Sequence, residues 1–190
     1  MHVPHEINHV PISMSLGLKK FMRFRPNTLD IIHEPKRLLG RLGEKMIKHY
    51  ENCELKAYKD IAGVWTIGYG NTFYENGLPV REDDEITQER ADSLFWNIVK
   101  IFSIGVEEEV QSLDLEQYEF DALVSFAYNV GIDAFIDSTL LEIIKNDKHN
   151  YEKITYQWLR WRYSKGRVIK GLINRRETGA NLYRTGSLNF

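Results

Sequence analysis

Residues 55–74, Leu-Lys-Ala-Tyr-Lys-Asp-Ile-Ala-Gly-Val-Trp-Thr-Ile-Gly-Tyr-Gly-Asn-Thr-Phe-Tyr, interrupt an otherwise helical pattern with β-branched and aromatic residues punctuated by Gly63, Gly68 and Gly70. Short runs of this composition between glycines read as strands joined by tight turns. Ahead of the block, Leu38, Leu39, Leu42, Met46, Ile47 and Tyr50 recur at helical spacing, which places Glu51 at the C-terminal end of a helix. Behind it everything reads as helix. Thr87 is an N-cap candidate for a helix bearing Leu94, Phe95, Ile98, Ile101 and Phe102. Asp114-Leu-Glu-Gln117 reads as a capping box for a helix from Tyr118 to Val130, stopped at Gly131. Thr139-Leu-Leu-Glu142 reads as a second box, and further helices are expected near 151–164 and 173–183. The plan is α+β: a small three-stranded antiparallel sheet lobe, a larger helical lobe and a cleft between them.

At 190 residues the chain has room for one domain plus an appendage. Residues 1–37 hold four of the five prolines and four of the six histidines without a sustained period, so they read as an N-terminal arm. Residues 16–25 mix cations with large apolar groups, as a docking or membrane-surface helix would, although packing on the chain's own domain explains them equally. Scattered histidines lacking cysteine or paired carboxylate neighbours give no metal set. No run of about 18 apolar residues occurs, so no transmembrane segment is expected, and the start lacks a signal-peptide pattern. The single cysteine, Cys53, excludes an internal disulfide and a zinc framework. Charge is segregated: +5 over residues 1–48, −15 over 49–144 and +8 over 145–190. Cationic ends attract anionic polymers by electrostatic steering, or are simply solvated helix faces.

The densest set of polar residues on special backbone runs from Glu51 to Thr72. Glu51 closes a helix, while Asp60 and Thr66 fall in the following hairpins, so groups able to move a proton or hold a water arrive from different elements. Two carboxylates nine positions apart mean little alone. Gly68 and Gly70 add backbone able to take positive φ or approach a ligand closely, or else mark a bend in the sheet.

The pattern Glu51-x8-Asp60-x5-Thr66 within this block resembles the catalytic segment of the bacteriophage-type lysozymes, the phage endolysin muramidases. Phe120-Asp-Ala-Leu-Val-Ser-Phe-Ala-Tyr-Asn-Val-Gly131, Phe135 with Ser138-Thr-Leu-Leu141, and Gly171-Leu-Ile-Asn-Arg-Arg176 match later motifs of that family in order. The resemblance covers about residues 38–183, giving a lysozyme-like domain at 38–184, with the arm before it and a tail at 185–190. It implies hydrolysis of the β-1,4 bond between N-acetylmuramic acid and N-acetylglucosamine in bacterial peptidoglycan. Glu51 would be the general acid, Asp60 the ionised partner that steadies an oxocarbenium-like transition state, and Thr66 a water-positioning residue. An inverting enzyme needs its carboxyls roughly 6.5–9.5 Å apart to admit that water. Tyr128, Asn129 and Ser138 would face the saccharide, although core packing is the plain alternative for Tyr128. Arg175 would lie beside Glu51, its charge opposing the burial that keeps the acid neutral. No cofactor or metal is implied, and the chain would act as a monomer.

Two positions depart from the family pattern: Asn52 follows the acid where glycine is usual, and Asn71 stands where histidine usually follows Gly-x-Gly. Asparagine tolerates left-handed backbone, so Asn52 need not distort the turn, whereas Asn71 removes a charge-capable contact of the sheet lobe. Gly179 and Gly186 weaken the last helix and predict a frayed C-terminus. Lacking an export signal, such an enzyme would wait in the host cytoplasm for a holin or secretion machinery before reaching the periplasmic wall. The arm would be an address or padding. A catalytically idle glycan-binding module is the competing reading, which the intact carboxylates disfavour. Nucleic acid is the weaker partner for the basic ends because no recognition motif accompanies them.

Overall fold

The computed structural model describes residues 36–190 apart from Ile61, Ala62 and Lys165. The arm expected at 1–37, with its histidines and its cationic stretch, therefore lies almost wholly outside the described residues.

Helix α1 (Arg41–Glu51) starts at Gly40 and leads into β1 (Glu54–Lys59) and β2 (Trp65–Gly68), which pair antiparallel with Tyr58 opposite Thr66. The first backbone N–H groups of α1 have no partner within the helix, and a distant carboxylate meets two of them. Asp121 Oδ1 accepts from Gly40 N at 2.7 Å and Oδ2 from Gly43 N at 2.9 Å. A Cβ on Gly40 would sit 2.9 Å from that same Oδ2, so the close approach requires glycine.

The expected third strand is absent from the sheet, which has two strands. Gly68 and Gly70 take φ of 61° and 94°, and Ile67 and Asn71 exchange backbone hydrogen bonds of 2.8 and 2.9 Å across the turn. Beyond it the chain pairs only pointwise, through bridges Phe73↔Pro79 and Lys56↔Glu85. Pro79 has no N–H to extend a ladder.

The helical body follows as α2 (Gln88–Val110), α3 (Gln117–Val130), α4 (Ile132–Ile136), α5 (Thr139–Asn146), α6 (Tyr151–Leu159), a hairpin β3 (Tyr163–Ser164) and β4 (Arg167–Val168), and α7 (Lys170–Thr185). Thr87 caps α2 as expected, accepting from Arg90 N at 3.2 Å. The box of α3 forms at Glu116 and Glu119, two residues later than Asp114 suggests, because a turn at 113–115 keeps the preceding chain out of the helix. Ser138, rather than Thr139, caps α5. The all-helix reading of the remainder is corrected: α6 ends at Leu159, and the chain then forms the hairpin β3–β4 with Gly166 (φ 76°) in its turn. Helix α3 runs through the centre with every residue from Glu119 to Asn129 buried, packed by α1, α2, α4 and α7.

The frayed C-terminus is also corrected. Helix α7 persists to Thr185, Gly186 closes it in the left-handed conformation (φ 68°), and Leu188 packs on the core. Gly179 is no weak point either: a Cβ there would lie 2.8 Å from Trp158 Nε1 and 3.2 Å from Met46 Cε, so its missing side chain lets α7 approach α6 and α1.

Candidate active site

Glu51 is the last residue of α1, which ends because Asn52 adopts φ 55°, the one positive value at a non-glycine among the described residues. The helix thus stops with the Glu51 side chain against α7. Arg175 Nη1 donates to Glu51 Oε1 at 2.6 Å, and both side chains are only 5% exposed. The guanidinium also lies over the Tyr50 ring, 5.5 Å from its centroid, while its Nε and Nη2 are buried without a hydrogen-bond partner among the described residues.

Asp60 and Thr66 are both fixed to one residue of the intervening loop. Val64 N donates to Asp60 Oδ1 at 2.9 Å, and Thr66 Oγ1 donates to Val64 O at 3.0 Å. Both are buried. With its only hydroxyl proton spent on Val64, Thr66 Oγ1 retains acceptor capacity.

Tyr58, the β1 partner of Thr66, joins the two carboxylates electrostatically. Its phenol is pushed up to about 12 by burial first, then by the charges of Glu51, Glu54 and Asp60. It is a neutral hydrogen-bond donor at physiological pH within the field of both Glu51 and Asp60. In sequence a strand aromatic such as Tyr58 looks like ordinary cross-strand packing, and only the register opposite Thr66, which the fold sets, distinguishes it.

Tyr128 is fully buried, and its hydroxyl donates to Tyr69 O at 2.8 Å, joining α3 to the segment after β2. Burial drives its phenol well above the ordinary value, and the Glu51 charge adds to the rise. Asn129, at the end of α3, accepts through Oδ1 from Arg176 Nη2. Arg176 also donates to Trp161 O at 2.9 Å, and burial, then Arg175, lowers its guanidinium to about 9, which leaves it charged at neutral pH. Ser138 Oγ accepts from Leu141 N at 3.1 Å and donates to Phe135 O at 2.6 Å, so its hydroxyl is consumed at the α4–α5 junction. Glu51 and Asp60 thus both act on Tyr58, which pairs with Thr66 across the hairpin, and Glu51 and Arg175 act on Tyr128. Asn129 Oδ1 and the Ser138 hydroxyl are spent on internal bonds. Among the described residues no group of three or more His, Cys, Asp or Glu side chains is placed to hold a metal ion.

The phage lysozyme family profile matches residues 48–179, a span that contains every one of these positions. The chain belongs to the phage lysozyme family. It is 38% identical over 150 residues to the endolysin of Bacillus phage B103, covering 78% of this chain and 54% of that protein. It therefore spans little more than half of that relative. With the endolysin of Acyrthosiphon pisum secondary endosymbiont phage 1 it shares 33% identity over 151 residues, 76% of this chain and 97% of that protein. Among solved structures, the endolysin from Escherichia coli O157:H7 phage FAHEc1 superposes with a TM-score of 0.74 at 34% identity, over 82% of this chain and 98% of the other. Within this phage lysozyme fold Asn71 is completely buried, and neither its side-chain oxygen nor its nitrogen has a hydrogen-bond partner among the described residues.

Proposed function

We propose that the protein is a peptidoglycan hydrolase, a muramidase that cleaves the β-1,4 bond between N-acetylmuramic acid and N-acetylglucosamine and so lyses bacterial cell walls. The observation that carries this reading is the buried Glu51 on a helix tip, paired to Arg175, with Asp60 and Thr66 pinned to the facing hairpin through Val64.

In this reading the sugar chain lies in a cleft between hairpin and helical body. Arg175 occupies Glu51 Oε1 in the free enzyme, where the two form an ion pair, and leaves Oε2 to take up the proton once bound glycan excludes water from the site. Glu51 gives that proton to the glycosidic oxygen as the C–O bond breaks, and ionised Asp60 faces the oxocarbenium-like carbon. Thr66 Oγ1 accepts from the attacking water, whose oxygen bonds to the anomeric carbon and whose proton passes to Asp60. The configuration inverts. Tyr58 donates toward the carboxylates and moderates their repulsion. Residues 38–184 form the catalytic domain and residues 1–37 an address. A holin or secretion machinery carries the enzyme from the host cytoplasm to the wall; among the described residues no helix is long and apolar enough to cross a membrane.

Digestion of purified peptidoglycan tests the reading. New N-acetylmuramic acid reducing ends, formed first in the inverted anomeric configuration by NMR, are expected. Retention on insoluble wall without new reducing ends would make the chain a glycan-binding module instead. Comparing the full chain with one lacking residues 1–37, on isolated wall and inside cells, tests the address: lysis from inside alone should fail.

A further inference from the structure

The two residues before Glu51 are covered by the segment that follows α7. The Phe190 ring stacks on the His49 imidazole with centroids 3.9 Å apart and planes 26° from parallel, and it meets Tyr50 edge-on at 6.1 Å. Phe190 remains 63% exposed, so it lies over the end of α1 rather than in the core. The segment is turned back by Gly186 and held by Asn181 Nδ2 donating to Ser187 O at 2.8 Å.

The hydrogen-bond directions continue inward. Thr178 Oγ1 donates to the carbonyl of Asn189 at 2.8 Å. A hydroxyl has one proton, so the 2.7 Å contact between Thr178 Oγ1 and the Tyr50 hydroxyl must be donated by Tyr50. The face of Tyr50 carries the Arg175 guanidinium, and Arg175 holds Glu51. Arg175 Nε and Nη2 have no hydrogen-bond partner among the described residues, and the Tyr50 ring and the Glu51 carboxylate hold the guanidinium.

We propose that residues 187–190 act as a strap that sets the Arg175–Glu51 pair, with Thr178 and Tyr50 as positioning residues. The inference rests on the reading of Glu51 as the proton donor. The Asn189 carbonyl orients the Thr178 hydroxyl, which orients Tyr50, which seats Arg175 on Glu51 Oε1. Loosening any link lets the acid wander from its productive position without altering the surface that meets the glycan.

The test measures kcat and KM on soluble glycan strands for Thr178→Val, Tyr50→Phe, the double variant, Thr178→Ser and Phe190→Ala, with unfolding temperatures and Glu51→Gln alongside. Thr178→Val and Tyr50→Phe should each lower kcat about tenfold with KM unchanged. The double variant should lose no more than either single variant, because both break one relay. Thr178→Ser should restore kcat to within about twofold of the parent, as it keeps the hydroxyl. Phe190→Ala, an exposed position that leaves the fold intact, should lower kcat about threefold, again by misplacement. Parental kcat in Thr178→Val and Phe190→Ala overturns the strap, as does a loss that Thr178→Ser fails to restore. Those results beside an inactive Glu51→Gln would remove the strap alone. Full activity in Glu51→Gln would remove the catalytic reading itself.

Discussion

At the scale of single residues, the Glu51–Arg175 ion pair is buried and carries a desolvation cost of its own. Glu51 and Arg175 are each nearly free of solvent, and removing one partner of such a pair leaves an uncompensated buried charge. Arg175→Met should therefore destabilise the protein by about 3–5 kcal/mol, read from urea unfolding at neutral pH. Loss of much less would mean that water reaches the pair. Glu51, Asp60, Thr66 and Arg175 stood out in the sequence through the family resemblance, since the bare spacing of the two carboxylates means little alone. Tyr58 did not, since its meaning comes from lying opposite Thr66 and near two carboxylates that local sequence does not bring together. Ser138 shows the converse: it was singled out for the saccharide, yet its hydroxyl caps α5.

At the scale of elements, the helices with long apolar periodicity were readable and the short pieces were not. Helix α1 was expected to end at Glu51, and it does, with Asp121 of α3 at one end and Arg175 of α7 near the other. The strands β3 and β4 have two residues each, too short to show a period of two, and α4 has five. Glycine misled for a different reason. Gly179 is unfavourable for an isolated helix, but in the fold it is a contact surface for Trp158 and Met46. The intrinsic gain from Gly179→Ala is about 1 kcal/mol, whereas forcing a methyl group into a packed core costs about 1–3 kcal/mol. Net destabilisation is expected by chemical denaturation. A higher denaturation midpoint would show that α7 can move off α6 at no cost.

At the scale of the whole molecule, the hairpin segment and the helical body are joined by polar contacts as well as core packing. Tyr128 bonds to Tyr69 O, the Tyr69 hydroxyl donates at 3.2 Å to Asp92 of α2, which Lys48 of α1 also holds at 2.7 Å, and Arg90 of α2 grips Glu75. The Lys48 ammonium holds the Asp92 carboxyl below its ordinary value, and Arg90 does the same for Glu75. An acid depressed in the folded state lends stability that is present above its unfolded value and lost as pH falls through the folded one. Melting temperature should accordingly fall as pH drops below about 4, with a shallower fall in Asp92→Asn. An identical profile for that variant would assign acid lability to other groups. The α+β plan was legible because periodicity switches once, at residues 55–74, whereas the missing third strand and the ordered tail depend on Pro79 and on contacts between distant segments.

In the proposed reaction Glu51 delivers the proton that breaks the glycan. Turnover of purified peptidoglycan by Glu51→Gln, matched to the parent for melting temperature and wall binding, tests it most directly. Removal of a general acid should lower the rate by roughly 10²–10⁴-fold with binding retained. A glutamine variant that releases reducing ends as fast as the parent would contradict it.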